Sequence, residues 1–249
     1  MLRIQPHWHV SAIFYRFSYL RISHQVDDDL FAYLGRRIVN AVVADCGCGP
    51  GNVSEKLLQR GAAKVFAIDA NASMLNQTRR RLAPYIKRGQ LETIQQKFDL
   101  ELFGYLKEKG NCMDIILFKR SLYSKPEEAR KILRAASHVL SPEGILVVIH
   151  PERSLRRYAF GPSMEIMSHT LYHLFNRTMS ILIDRLGLGQ YTIYGRAELL
   201  EMICMALPHL RVNPVCASQD AYNIVAAHEI ANHNKESKKN EPSTCVQDK

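Results

Sequence analysis

From residue 41 onward, short apolar runs alternate with stretches whose apolar residues recur every three or four positions. The runs Ala41–Cys46, Lys64–Ile68, Leu91–Ile94, Met113–Phe118 and Gly144–Ile149 predict strands. Val42-Val43-Ala44 and Ile145 through Ile149 are apolar at every position, the pattern of strands covered on both faces. Between them the helical period predicts helices over Val53–Arg60, Ala72–Leu82, Leu100–Lys107 and Glu127–Leu140. Ser73 stands where an N-cap is expected, and Pro126 suits a first helical position ahead of Glu127 and Glu128. Strand and helix in regular alternation predict an α/β fold, doubly wound, with a mostly parallel sheet and helices on both faces.

Residues 153–190 break the rhythm. Ile166, Leu171, Leu174, Phe175, Met179, Leu182 and Leu186 share one helical face, which predicts a long amphipathic helix ending at Gly187. A helix over Ala197–Leu207 and strands near Val212–Ala217 and Tyr222–Ala227 follow. Residues 1–40 read as a helical cap, residues 1–232 as a single domain, and the polar tail 233–249 as disordered.

Composition narrows the class only a little. The chain has 249 residues, enough to bury a sizeable core, and its 47% hydrophobic content is that of a globular protein. No apolar stretch is long enough to span a bilayer, and Arg3, His7, His9, Arg16 and Arg21 interrupt the N-terminal apolar residues. We therefore expect a cytoplasmic protein without a membrane span. Six scattered cysteines do not make a disulfide scaffold. The net charge of +9 gathers at Arg79-Arg80-Arg81, Lys87-Arg88 and Arg153 with Arg156-Arg157, either a solvated basic surface or a surface for an anionic partner.

The chemistry concentrates in "VVADCGCGPGNVS", Val42 to Ser54, where three glycines follow a strand that ends in an acid. A phosphate loop would need a lysine and a hydroxyl after its last glycine, but Asn52 and Val53 follow Gly51. The dinucleotide spacing is also missing. Pro50 removes a backbone donor and Asp45 adds negative charge, both unfavourable to a pyrophosphate. Cys46 and Cys48 are a lone pair without a second pair at zinc spacing. A cationic ligand without phosphate suits the turn better, because Asp45 attracts it and the missing N–H of Pro50 costs nothing.

"ADCGCGPG" resembles the D/E-x-G-x-G-x-G motif of class I methyltransferases that use S-adenosyl-L-methionine (SAM). The resemblance extends through "VFAIDANASML", "ETIQQKFDL" and the segment "MDIILFKRSLYSKPEEARKILRAASHVLSPEGILVVI", covering roughly residues 26–230. It implies a seven-stranded sheet whose last strand is antiparallel, with 153–190 as a helical lid. It implies SAM as cofactor, held by Asp45, Gly47, Cys48, Gly49 and Gly51 in the turn, with Asp69 on both ribose hydroxyls. Ala70 and Met74 would follow it, Asp99 would meet the adenine, and Lys119 would stand after the fourth strand. The N/D-P-P-Y/F motif of amino-methylating enzymes is absent from the Phe118-Lys119-Arg120-Ser121 stretch.

Methyl transfer needs alignment and exclusion of water more than it needs a base. His150, ending the fifth strand, is the first candidate for base or substrate contact, and Tyr123 is the second. A histidine bonding locally beside Pro151 and an aromatic packing over the core are the plainer alternatives. With Met164, Met167, Phe175 and Met179 on the insert, the expected acceptor is a small organic molecule, apolar or aromatic. An RNA or protein methyltransferase using the basic surface, or a SAM-binding protein without methyl transfer, is the alternative. Oligomeric state is left open.

Overall fold

The pleat of a strand sends successive residues to opposite faces, and here each face of the sheet meets its own layer of helices. The computed structural model describes residues 26–109, 112–151, 194–216 and 222–229. Helix α1, over 26–34, leads through a 3-10 turn at Gly35–Ile38 into β1 (Val42–Cys46), α2 (Asn52–Gln59), β2 (Lys64–Ile68) and α3 (Ala72–Arg81). Then come α4 (Ala83–Lys87), β3 (Leu91–Ile94), α5 (Leu100–Glu108), β4 (Met113–Lys119), α6 (Pro126–Ser137) and β5 (Leu140–Pro151). Helix α7 (Arg196–Ala206), β6 (Leu210–Cys216) and β7 (Tyr222–Glu229) complete the described chain.

The strands form one sheet in the order β3-β2-β1-β4-β5-β7-β6. The first five of that order pair in parallel, and β7 runs antiparallel to both β5 and β6. Parallel pairing thus stops at five strands, and the expected mostly parallel sheet holds in that form. Chain order reverses direction between β1 and β4, so their carboxyl ends flank the crevice where open α/β sheets take ligands.

One face carries Ala44, Cys46, Phe66, Ile68, Phe118 and Val148 under α5, α6 and α7. The other carries Val43, Val65, Ala67, Leu117, Val147 and Ile149 under α1, α2 and α3. Burial of alternate residues on both sides explains why the strand sequences read as unbroken apolar runs.

Several local expectations shift. Asn71, not Ser73, caps α3: its Oδ1 accepts from the amides of Ser73 at 2.9 Å and Met74 at 3.3 Å. A short helix, α4, follows with Pro84 in its first turn. Strand β5 starts at Leu140, ahead of the Gly144 predicted, and its register with β4 slips between Met113 and Ile115. Gly144 is required there because a Cβ would lie 2.8 Å from the Met113 carbonyl. Pro214, without an N–H, is placed on the edge strand β6, where a missing donor is tolerated. The proposed lid at 153–190, the tail at 233–249 and residues 1–25 of the cap lie outside the described residues.

Candidate functional site

The glycine turn closes the carboxyl end of β1 and is strapped to β2. Ile68 O accepts from the amides of Gly47 at 2.7 Å and Cys48 at 3.0 Å, and Gly51 N donates to Cys48 O at 3.0 Å. Gly47 has φ +81°, and an added Cβ would stand 2.2 Å from the Cβ of Ser121. Gly51, at φ +78°, precedes the first turn of α2 and lies against Thr78. Gly49 differs. Its φ is +54°, yet a Cβ there would meet nothing within 4 Å among the described residues, so none of them fills the space at that residue. Cys46 and Cys48 are buried, and burial pushes both thiols well up, which makes them small packing groups.

Two acids stand at adjacent strand ends. Asp45 is buried, and its Oδ2 accepts from Ser54 Oγ at 2.6 Å. Burial raises its pKa from 3.8 to about 6, against the Ser54 bond and the charge of Lys119, while Asp69 and Asp27 add to the rise. The folded protein therefore binds this proton more tightly than the unfolded chain does. Stability from this group is present at low pH and is lost as pH climbs from about 4 to about 6. Asp45→Asn, which keeps an acceptor for Ser54, is expected to gain about 2 kcal/mol in urea unfolding at pH 7.5 and nothing at pH 4. A variant less stable at both pH values would contradict that reading.

Asp69 joins the turn to β2. Its Oδ2 accepts from Gly49 N at 2.9 Å and its Oδ1 from Asn71 N at 2.8 Å. Burial raises its pKa and the two amides lower it. Each oxygen retains a lone pair for a further donor. Asn71 Nδ2 is buried and has no partner among the described residues, so one donor beside Asp69 is unused. Ala70 is half-buried between them and Met74 is buried in the first turn of α3.

The ends of β4 and β5 differ more from expectation. Lys119 comes to the side of the turn, but its ammonium is bonded to Asp27 of α1, which also binds Lys56 Nζ at 2.7 Å. Arg120 adopts φ +54°, a strained conformation for a non-glycine residue, with its amide on Ile149 O at 2.8 Å. His150 is fully buried, with Nε2 accepting from Tyr194 N at 3.0 Å. In the neutral ring the proton then sits on Nδ1, an atom with no partner among the described residues. Burial, helped by the charge of Arg120, pushes its pKa down to about 3. An imidazole neutral at pH 7, with its lone pair engaged, is a poor base.

Tyr123 is half-buried, its ring 5.5 Å from that of His150, and the ring of Tyr194 is 5.2 Å away on the same imidazole. Asp99 is exposed and caps α5, its Oδ1 accepting from Leu102 N at 3.0 Å. Its neighbour Phe98 instead reaches the turn: a Cβ on Gly47 would lie 3.4 Å from that ring. Sequence reasoning did not select Phe98, Asp27, Tyr194 or Thr78, whose Oγ1 donates to Gly49 O at 2.9 Å. Only Phe98 carried a local signal, as the residue before Asp99.

A family model described as a methyltransferase domain matches residues 43–144. The trans-aconitate 2-methyltransferase of Rhodopseudomonas palustris is 32% identical over 112 residues, 44% of this chain and 38% of that protein. That of Variovorax paradoxus is 31% identical over 113 residues, 45% of this chain and 39% of the relative. The chain thus matches about two fifths of the length of these two relatives. Among solved structures, the magnesium protoporphyrin IX methyltransferase of Synechocystis, with bound SAM, superposes with a TM-score of 0.55 at 16% identity, covering 85% of this chain and 82% of the other. An O-methyltransferase family protein from Burkholderia thailandensis gives 0.58 at 16% identity, covering 84% and 56%. At such identities the likeness is one of fold.

Proposed function

We propose that residues 43–144, which match the methyltransferase-domain model, form a class I, Rossmann-like methyltransferase domain, and that the chain binds SAM at the Gly47–Gly51 turn and methylates a small organic acceptor. One observation carries the reading. The Gly49 amide on the Asp69 carboxylate brings the β1 turn and the β2 acid into one site that no described residue fills at Gly49. Asp69 would accept both ribose hydroxyls with the lone pairs it has left. The residues present fit the cofactor in a second respect. Asp45 lies buried behind the turn, where its charge favours a cation, and Asn71 Nδ2 offers an unused donor.

When bound, SAM supplies a methyl group already activated on its sulfonium. The chain's own work is then to align the acceptor and exclude water. Gly47, Cys48 and Gly51 shape the turn, and Ala70, Met74 and Phe98 stand beside it to flank the nucleoside. Asp99 serves this reading by capping α5 next to Phe98 rather than by reaching the ligand itself. Tyr123, over His150 at the carboxyl ends of β4 and β5, would face the acceptor; His150 holds Tyr194 through Nε2 and keeps Nδ1–H as a donor. Lys119, bonded to Asp27, would act through its charge rather than by touching the ligand.

The two relatives, both trans-aconitate 2-methyltransferases, support a small-molecule acceptor. An apolar or aromatic acceptor is supported by the sequence pattern of 153–190 alone. The test is titration calorimetry with SAM, followed by transfer of an isotope-labelled methyl group to a panel of carboxylic acids, phenols, RNA and protein. Binding, with label in a small acid or phenol, is the expected result. No binding would sink the proposal, and label only in RNA or protein would move it to those acceptors.

A further inference from the structure

A largely buried ion cluster ties α1 to α2 and to the end of β4 beside the Gly47–Gly51 turn. In the run Asp27-Asp28-Asp29 only Asp27 shares the buried face of α1 with Val26, Leu30, Phe31 and Leu34. Two lysines converge on it: Lys119 from the end of β4 on Oδ1, and Lys56 from α2 on Oδ2. The last β1–β4 pair is Cys46 with Phe118, so Lys119 is next in line beside Gly47, the first glycine of the turn. Desolvating three charges in this way is expensive and is a weak source of stability. Its placement suggests another use.

Asp27 sets its carboxylate against both ammonium groups, and the charge of Lys119 also acts on Asp45. Removing the Asp27 charge would make the potential more positive beside a turn read here as the seat of a sulfonium. We propose that Asp27, which lies outside the 43–144 match, is a positioning residue that neutralises Lys119 so that the turn favours a cationic ligand over its uncharged counterpart. The inference rests on the SAM reading above. It predicts a selectivity, because the product of methyl transfer, S-adenosylhomocysteine, carries a neutral thioether where SAM carries the sulfonium.

The experiment measures the dissociation constants of SAM and S-adenosylhomocysteine by calorimetry in the full chain and three variants. Asp27→Asn is expected to weaken SAM about fivefold more than S-adenosylhomocysteine, the scale of one unpaired charge in a partly buried site. Lys119→Met should shift the ratio about as far toward SAM. The double variant should return the ratio to within about twofold of wild type. A merely structural tie would lower both affinities together and leave the ratio fixed, which would overturn the proposal. Should Asp27→Asn fail to fold, Lys119→Met alone decides by the sign of its shift. Wild-type protein that binds neither ligand overturns the SAM reading and this proposal together, whereas normal binding with an unmoved ratio overturns this proposal alone.

Discussion

Gly47→Ala is expected to lower folding stability by about 3 kcal/mol in urea unfolding, the sum of a left-handed backbone penalty and an overpacked neighbour. The residue holds φ +81°, and the new Cβ would stand 2.2 Å from Ser121 Cβ and 3.0 Å from its Oγ. Neither side gives way easily. Ser121 Oγ donates to Cys46 O at 2.5 Å, and Gly47 N is bonded to Ile68 O at 2.7 Å. Gly49→Ala is the informative partner. Its φ is +54° and no atom of the described residues lies within 4 Å of the added Cβ, so its stability cost should be only the backbone term, about 1 kcal/mol. Yet that Cβ would project into the space assigned to the ligand. SAM affinity should therefore fall more than stability at Gly49, and stability should fall first at Gly47. Undiminished SAM affinity in Gly49→Ala would remove the turn as the ligand's seat.

The contrast between those glycines marks how far the sequence could be read. Three glycines after an apolar strand signal a ligand turn, but which of them meets Ser121, which meets Thr78 and which meets no described residue depends on side chains 27 to 74 positions away. The strands were legible because both faces are buried, which leaves apolar runs that need no phase. The start of β5 was not, because the slip near Met113 exists only in the pairing with β4. Asp99 has the signature of an N-cap as well as of a ligand residue, and the structure shows the cap. His150 was placed correctly at a strand end, but burial and the bond from Tyr194 decide its chemistry, and that partner is 44 positions away. Lys119 is the clearest case. Its partner, Asp27, is 92 positions away, in a run of three acids that looks like a solvated helix start.

Asp69→Asn tests the other half of the site and should carry the largest functional effect. The carboxylate already accepts from Gly49 N and Asn71 N, and in the proposed complex it would accept two hydroxyls besides, filling its four lone-pair positions. An amide has one acceptor oxygen. In either orientation its NH2 group faces one of the two backbone donors, and one hydroxyl loses its acceptor as well. Hydrogen bonds to a charged group are worth about 1.5–3 kcal/mol each, so affinity for SAM and S-adenosylhomocysteine alike should fall roughly a hundredfold. Part of any loss could come from the turn itself, since Gly49 would lose its acceptor. A 2′,3′-dideoxy analogue of S-adenosylhomocysteine separates the two effects. Wild type should discriminate strongly against it, whereas Asp69→Asn should bind the analogue and the parent almost equally, the coupling expected when residue and hydroxyls touch. If the variant kept the full discrimination, Asp69 would serve only to pin Gly49 and Asn71, and the ribose would have to be placed elsewhere along the carboxyl edge of the sheet.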